Sequence, residues 1–265
     1  MLFRSWLTFP LSSAAPLKVF FQQNIEIDLG LDILHSDGNN TASGSPKMIT
    51  SLTGHPLYLP NSAIISNLPS AQRVNCDLHR TRGGLMRCEW DSGAGMRPVP
   101  GHWDGWNNKD NSKTEYFDAS VSLIGPSSAR IRVKGRNTRS CRIYFDNQPI
   151  SEYVVRSSDG VGGEKGMQYG YEVGKGGITV LILWSRTWDR EFVVDVKFGT
   201  ADGRLQGRVG CEWAEYESAA IDHGSGGGVS GKIPAFEEVL MYLPEWAVST
   251  KQDDGLVEVL ARFSV

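Results

Sequence analysis

Metal or acid–base chemistry would rest first on the five histidines, and their spacing does not supply it. His35, His55, His79, His102 and His223 are scattered. No His-Glu-x-x-His run occurs, and no other pair stands at ligand spacing. Residues 226–232, GGGVSGK, match the G-x-x-x-x-G-K spacing of a phosphate loop. Ile233 stands where that loop needs a magnesium-binding Ser or Thr, Pro234 follows, and SAAIDHG supplies no apolar strand in front. The stretch therefore reads as a glycine-rich loop. Neither Ser225 nor Ser230 has the G-x-S-x-G frame of a nucleophile elbow.

Aromatic and sulfur chemistry is better represented. Trp103 and Trp106, in GHWDGWNN, lie in irregular sequence rich in glycine and proline. Indoles so placed either stack on a sugar or a partner or plug one end of a β core. Trp184-Ser185-Arg186 with Trp188 forms a second aromatic and cationic set, and its position at the end of an apolar strand predicts packing rather than binding. Asn39-Asn40-Thr41 is a glycan acceptor sequon, used if the chain is luminal.

The four cysteines fall at Cys76, Cys88, Cys141 and Cys211, with no C-x-x-C pair, which argues against a zinc knuckle or ribbon. Alternation places Cys141 on a face with Ile143 and Phe145, and Cys211 on a face with Val209 and Trp213. Both point inward and are expected to bridge across a core, which leaves Cys76 and Cys88 to pair locally. Two disulfides imply an oxidising compartment, whereas four buried thiols would suit the cytosol.

The elements that position these residues are mostly strands. Residues 191–198 alternate strictly, with Phe192, Val194, Val196 and Phe198 on one face and Glu191, Asp195 and Lys197 on the other. Residues 178–184 are almost continuously apolar, the pattern of a strand covered on both faces. Further strands are expected over 18–29, 117–123, 130–134, 141–146, 153–156, 167–173, 209–213 and 257–265. Residues 76–90 read as a closed loop or hairpin, and 51–69 as an irregular stretch with a short helix near 63–67. One helix is well signalled over 234–243, with Pro234 in its first turn, Glu237 and Glu238 near its positive end, and Pro244 as its stop. Eight to ten strands and one or two short helices predict an all-β fold, an antiparallel β-sandwich.

At 265 residues, 40% of them hydrophobic, with 30 glycines and 8 tryptophans, the chain is a turn-rich globular protein rather than a disordered one. A net charge of -3 gives no electrostatic reason for nucleic acid as a partner. The amino end, MLFRSWLTFPLSSAAPL, has an uncharged run over 5–17 that is too short to span a bilayer and is interrupted by Pro10 and Pro16. Arg4 ahead of an apolar run followed by small residues also fits a signal peptide with a poor apolar segment, and these residues alone do not choose. Residues 1–17 are read as a juxtamembrane stub or the end of a membrane segment, and 18–265 as one β-sandwich domain.

Three segments taken in order, LILWSRTWDREFVVDV, GRVGCEW and IPAFEEVLMYLPEWAVSTKQDDGLVEV, resemble the carboxyl-terminal luminal domain of the fungal vacuolar membrane proteases. That family belongs to the M28 zinc metallopeptidases and is related to the endoplasmic reticulum metallopeptidases of animals. APLKVFFQQNIEIDL is similar to the strand that follows the family's last membrane helix, and LTGHPLYLP, CEW and SCRIYFDNQP fall where the family has like segments. The insert DHGSGGGVSG before Ile233 departs from the family pattern in being longer and richer in glycine.

The resemblance implies a larger protein in which an amino-terminal peptidase domain binds zinc, membrane helices follow, and this β domain comes last. No peptidase motif occurs in this sequence, so no catalytic or metal residue is carried over, no cofactor is expected in the chain itself, and the chain alone is expected to be inactive. The expected role is to stabilise the peptidase domain or to recruit peptide or protein substrates to it. The expected location is the luminal side of the vacuolar membrane, with the endoplasmic reticulum lumen or secretion as alternatives. The competing reading is a secreted carbohydrate- or partner-binding β module contacting its ligand through Trp103 and Trp106.

Overall fold

The computed structural model describes residues 11–32, 46–59, 63–78, 84–98, 117–136, 138–156, 168–199, 204–213, 233–253 and 255–265. These residues form fourteen strands in two sheets, with two short α-helices. The fold is all-β, as the alternation predicts, with more strands than the eight to ten expected. Among the described residues, no helix is long and apolar enough to cross a membrane. The chain forms two compact units.

The first unit comprises Met1–Gln23, Met48–Val99 and Ser218–Asp253. Its sheet begins with the first residues of β1 (Leu17–Asp32) and continues through β2 (Lys47–Gly54), β4 (Met86–Asp91) and β3 (Asn75–Asp77). Parallel to β1 runs β13 (Ala247–Lys251), in register from Leu17↔Ala247 to Phe21↔Lys251. Leu17, Val19 and Phe21 point into the core, as the alternation of β1 requires.

Gln23, which breaks that apolar set, is fully buried, and its amide donates to the Met96 carbonyl at 2.9 Å. It thereby tethers the 3₁₀ turn Ala94–Met96 to the strand. Sequence reading missed β2, because KMITSLTG is half polar. In the fold Thr50, Ser51 and Thr53 are buried, and their hydroxyls are satisfied by Ser92 Oγ at 2.9 Å, the Gln22 carbonyl at 3.1 Å and Gln252 Oε1 at 3.0 Å.

Besides the short α1 (Ala63–Ser66), this unit holds α2 (Pro234–Tyr242), which starts at its proline as expected and ends ahead of Pro244. Phe236 packs on Phe21 with ring centroids 5.0 Å apart. Glu238 faces inward, where the Ser70 backbone N–H donates to Oε1 at 2.9 Å and the Ser70 hydroxyl donates to Oε2. Trp90 Nε1 donates in turn to Ser70 Oγ at 3.1 Å.

The second unit comprises Asn24–Lys47, Pro100–Glu217 and Asp254–Val265, and is the β-sandwich. One sheet runs in the order β5 (Phe117–Gly125), β6 (Ser128–Gly135), β11 (Glu191–Phe198), β8 (Ile150–Arg156), β9 (Gln168–Glu172), antiparallel throughout. The other runs β10 (Val180–Trp184), β7 (Ser140–Phe145), β12 (Gln206–Trp213), β14 (Val257–Ser264), and then the second part of β1. Ile131, Val133 and Val194 face Ile143, Val209 and Val259 across the core, and all are buried.

Gly135 is glycine for a steric reason: a Cβ there would lie 2.8 Å from Cys211 Cβ and 2.9 Å from Cys211 Sγ. That sulfur belongs to the disulfide Cys141–Cys211, and a second disulfide joins Cys76 to Cys88 in the first unit. The pairing is the one alternation favours, but neither bond crosses a core. Cys141 and Cys211 stand directly opposite on neighbouring strands β7 and β12, as Cys76 and Cys88 do on β3 and β4. Facing one way is not enough to decide between a partner across the sandwich and one across the ladder, and strand order decides it here.

Candidate interaction surface

Strand β10 departs furthest from its sequence reading. It is the edge strand of its sheet, and its sides differ: Leu181 and Leu183 are buried, while Val180, Ile182 and Trp184 are 41%, 58% and 54% exposed. The continuous apolar run therefore does not signal cover on both faces. Covering the exposed parts of Ile182 and Trp184 would be worth on the order of 5 kcal/mol at about 25 cal/mol per Å².

The ladder also fixes where the backbone of β10 points. β10 pairs antiparallel with β7 from Val180↔Tyr144 to Trp184↔Ser140, and the flanking bonds Phe145 N–H to Thr179 O and Ser185 N–H to Arg139 O are 2.8 and 2.9 Å. In an antiparallel pair, hydrogen-bonded residues alternate with residues turned the other way. Residues 179, 181, 183 and 185 thus bond β7. Val180, Ile182 and Trp184 turn their N–H and C=O groups to the open edge.

At the Trp184 end, two loops converge. The turn after β10 carries Arg186, Trp188, Asp189 and Arg190, and the turn between β6 and β7 carries Arg136 and Arg139. Asp189 N–H donates to the Thr138 carbonyl at 3.0 Å, which locks the loops together. The Arg139 guanidinium lies 4.3 Å from the centroid of the Trp188 ring, a cation–π contact, and Trp188 is 46% exposed. Packing was expected for Trp184, Arg186 and Trp188; instead all three are exposed. The reason is the edge position, since no further strand covers that side of the sheet among the described residues.

Behind the apolar row, on the same face, lies an ionic network. Arg142 Nη1 is 2.8 Å from Glu212 Oε1 and 3.9 Å from Glu258 Oε1, and both acids are buried. Tyr144 donates to Glu258 at 2.5 Å, and Arg208 stacks over the Tyr144 ring at 4.8 Å while bonding Asp146 at 2.9 Å. Burial disfavours the charge on Arg142, but the Glu212 and Glu258 carboxylates outweigh it and hold the guanidinium ionised beyond its usual range. Burial, and then the Glu258 charge, push the Tyr144 phenol well above its usual range. Such a network positions strands β7, β12 and β14 side by side.

The outer face of the other sheet carries a second cluster. Asp195 on β11 receives Arg130 Nε at 2.6 Å and Nη2 at 2.9 Å, and Arg156 Nε at 2.6 Å. The Arg130 hydrogen bonds, joined by those of Arg156 and opposed by burial, hold its carboxyl below the usual carboxylate range.

Of the residues singled out in the sequence, Trp103, Trp106, Asn39, His35, His79, His102, His223 and the loop 226–232 lie outside the described residues. His55 accepts the Leu57 N–H at 3.3 Å and packs against Tyr58 with ring centroids 5.4 Å apart. Among the described residues no group of three or more His, Cys, Asp or Glu side chains is placed to hold a metal ion.

Comparison with known proteins gives a consistent result. The sequence model of the family described as "Vacuolar membrane protease, C-terminal domain" matches residues 17–259, from the start of β1 into β14. Vacuolar membrane protease of Laccaria bicolor is 45% identical over 291 residues, covering 98% of this chain and 28% of that protein. The proteins of the same name from Coprinopsis cinerea and Schizophyllum commune are 41% and 39% identical, again over 98% of this chain, which spans 27% and 24% of their lengths. The chain thus spans about a quarter of the length of the curated relatives it matches.

Proposed function

The chain belongs to the vacuolar membrane protease C-terminal domain family, and from that premise we propose that it is a non-catalytic luminal domain that engages polypeptide for a peptidase domain encoded outside this sequence. The observation that carries the reading is the exposed row Val180, Ile182 and Trp184, with Trp188 and the loop arginines at its end. Apolar side chains left uncovered on a domain this well packed are the usual signature of an interaction surface.

Two further observations support parts of it. The paired cysteines suit an oxidising lumen. The resemblance in the sequence implies that β1 follows a membrane segment, and the relatives' name supports a location at the vacuolar membrane. In this reading the zinc of the M28 family is held by the peptidase domain, and Asn39 carries a glycan.

Peptidase assays on the purified chain, with added zinc and with chelator, test the non-catalytic role. No turnover is expected under either condition, and chelator-sensitive cleavage would overturn it. Orientation is read separately in intact vacuoles: the domain should resist external protease, and glycosidase should lower its mass unless Asn39 is replaced by Gln.

A further inference from the structure

We propose that the open edge of β10 accepts an extended, acidic polypeptide segment as an added strand. This deepens the polypeptide-engaging role proposed above and rests on it. Three features of one strand point to this occupant. The backbone groups of Val180, Ile182 and Trp184 face the edge, and an extended peptide backbone offers donors and acceptors at the matching repeat. Their side chains form an apolar row on one face, so an incoming strand gains contacts at every second residue. At the Trp184 end the two loops carry Arg136, Arg139, Arg186 and Arg190 against Asp189, so carboxylates on the incoming segment meet guanidinium groups.

Two other edge strands among the described residues, β5 and β3, carry features that discourage pairing and that β10 lacks. The outward residues of β5 include Asp118, Ser120 and Ser122, and β3 is only three residues long. Charge and shortness are the usual ways to keep a strand edge from pairing. β10 has neither a charged residue nor a proline.

The test uses the full chain and a fluorescein-labelled probe peptide of alternating Val and Thr ending in Asp-Glu-Asp. Ile182→Pro removes the N–H that faces the open edge and leaves the bonds to β7 in place, which edge strands tolerate. The probe should bind the unaltered chain and lose about tenfold in affinity to Ile182→Pro, the loss expected from roughly 1.4 kcal/mol. Arg186→Glu, on the exposed loop, should weaken binding severalfold and flatten its salt dependence. A probe N-methylated at alternate residues should not bind.

Equal binding of the N-methylated probe, or no binding at millimolar concentration, would overturn the proposal. So would sedimentation showing that β10 pairs with a second copy of the chain. In all three cases the non-catalytic reading still stands. Chelator-sensitive cleavage of the probe would defeat that reading, and this proposal with it.

Discussion

At the scale of single residues, neighbours in sequence have opposite fates on β10, and the difference is measurable. Leu183 is buried and Trp184 is half exposed. Leu183→Ala should cost about 2–4 kcal/mol in chemical denaturation, and Trp184→Ala under about 1 kcal/mol. Equal costs would mean that Trp184 is packed. Tyr144 makes a prediction in pH. Its folded pKa is raised, so its contribution is present below the unfolded value of about 10 and is lost as pH rises above it. Tyr144→Phe gives up a hydrogen bond to a charged group, about 1–3 kcal/mol at neutral pH. The difference from the unaltered chain should shrink in melts taken above about pH 10.

Among the elements, β11 shows how polar and apolar faces divide the work. Its inward residues Phe192, Val194, Val196 and Phe198 are buried in the sandwich, and its outward Asp195 joins β6 and β8 through Arg130 and Arg156. Removing the charge leaves two guanidinium groups side by side, so Asp195→Asn should cost about 1–3 kcal/mol at pH 7, discounted for the part-exposed arginines. The sign of the pH effect is opposite to that of Tyr144. The folded pKa of Asp195 is depressed, so its contribution is present above the unfolded value of about 4 and is lost as pH falls below it. Stability curves of Asp195→Asn and the unaltered chain should converge in acid, and a gap that stays constant would refute the assignment.

The faces of β11 were legible because alternation has a period of two, and Cys141 and Cys211 were placed inward for the same reason. The edge position of β10 was not legible. VLILW reads alike in a central strand and in an edge strand, since the residues that would cover it come from elsewhere in the chain. β2 was missed because its polar residues take hydrogen-bond partners, Gln22, Ser92 and Gln252, that local sequence does not name, and β13 because the strand it pairs with, β1, lies at the other end of the chain.

For the whole molecule, each unit contains one disulfide, and the two close loops of different length. Cys141 and Cys211 are separated by 70 residues, Cys76 and Cys88 by 12. Loop-closure entropy gives about 4 kcal/mol for the first and about 3 for the second. Replacing Cys141 and Cys211 by Ala should therefore lower stability more than replacing Cys76 and Cys88, as thermal melts of the two double variants would show. The reverse order would mean that local packing outweighs chain entropy. By itself the sequence determined the all-β class, the inward set of most strands, the main helix, the favoured cysteine pairing and the family resemblance, because each is written in residue type and short-range period. Tertiary structure alone decided which strand lies at an edge, that both disulfides span a ladder rather than a core, and that Trp184 and Trp188 reach solvent. Those outcomes depend on the order in which distant strands pair, and a side chain's cover is supplied by whatever that order sets beside it.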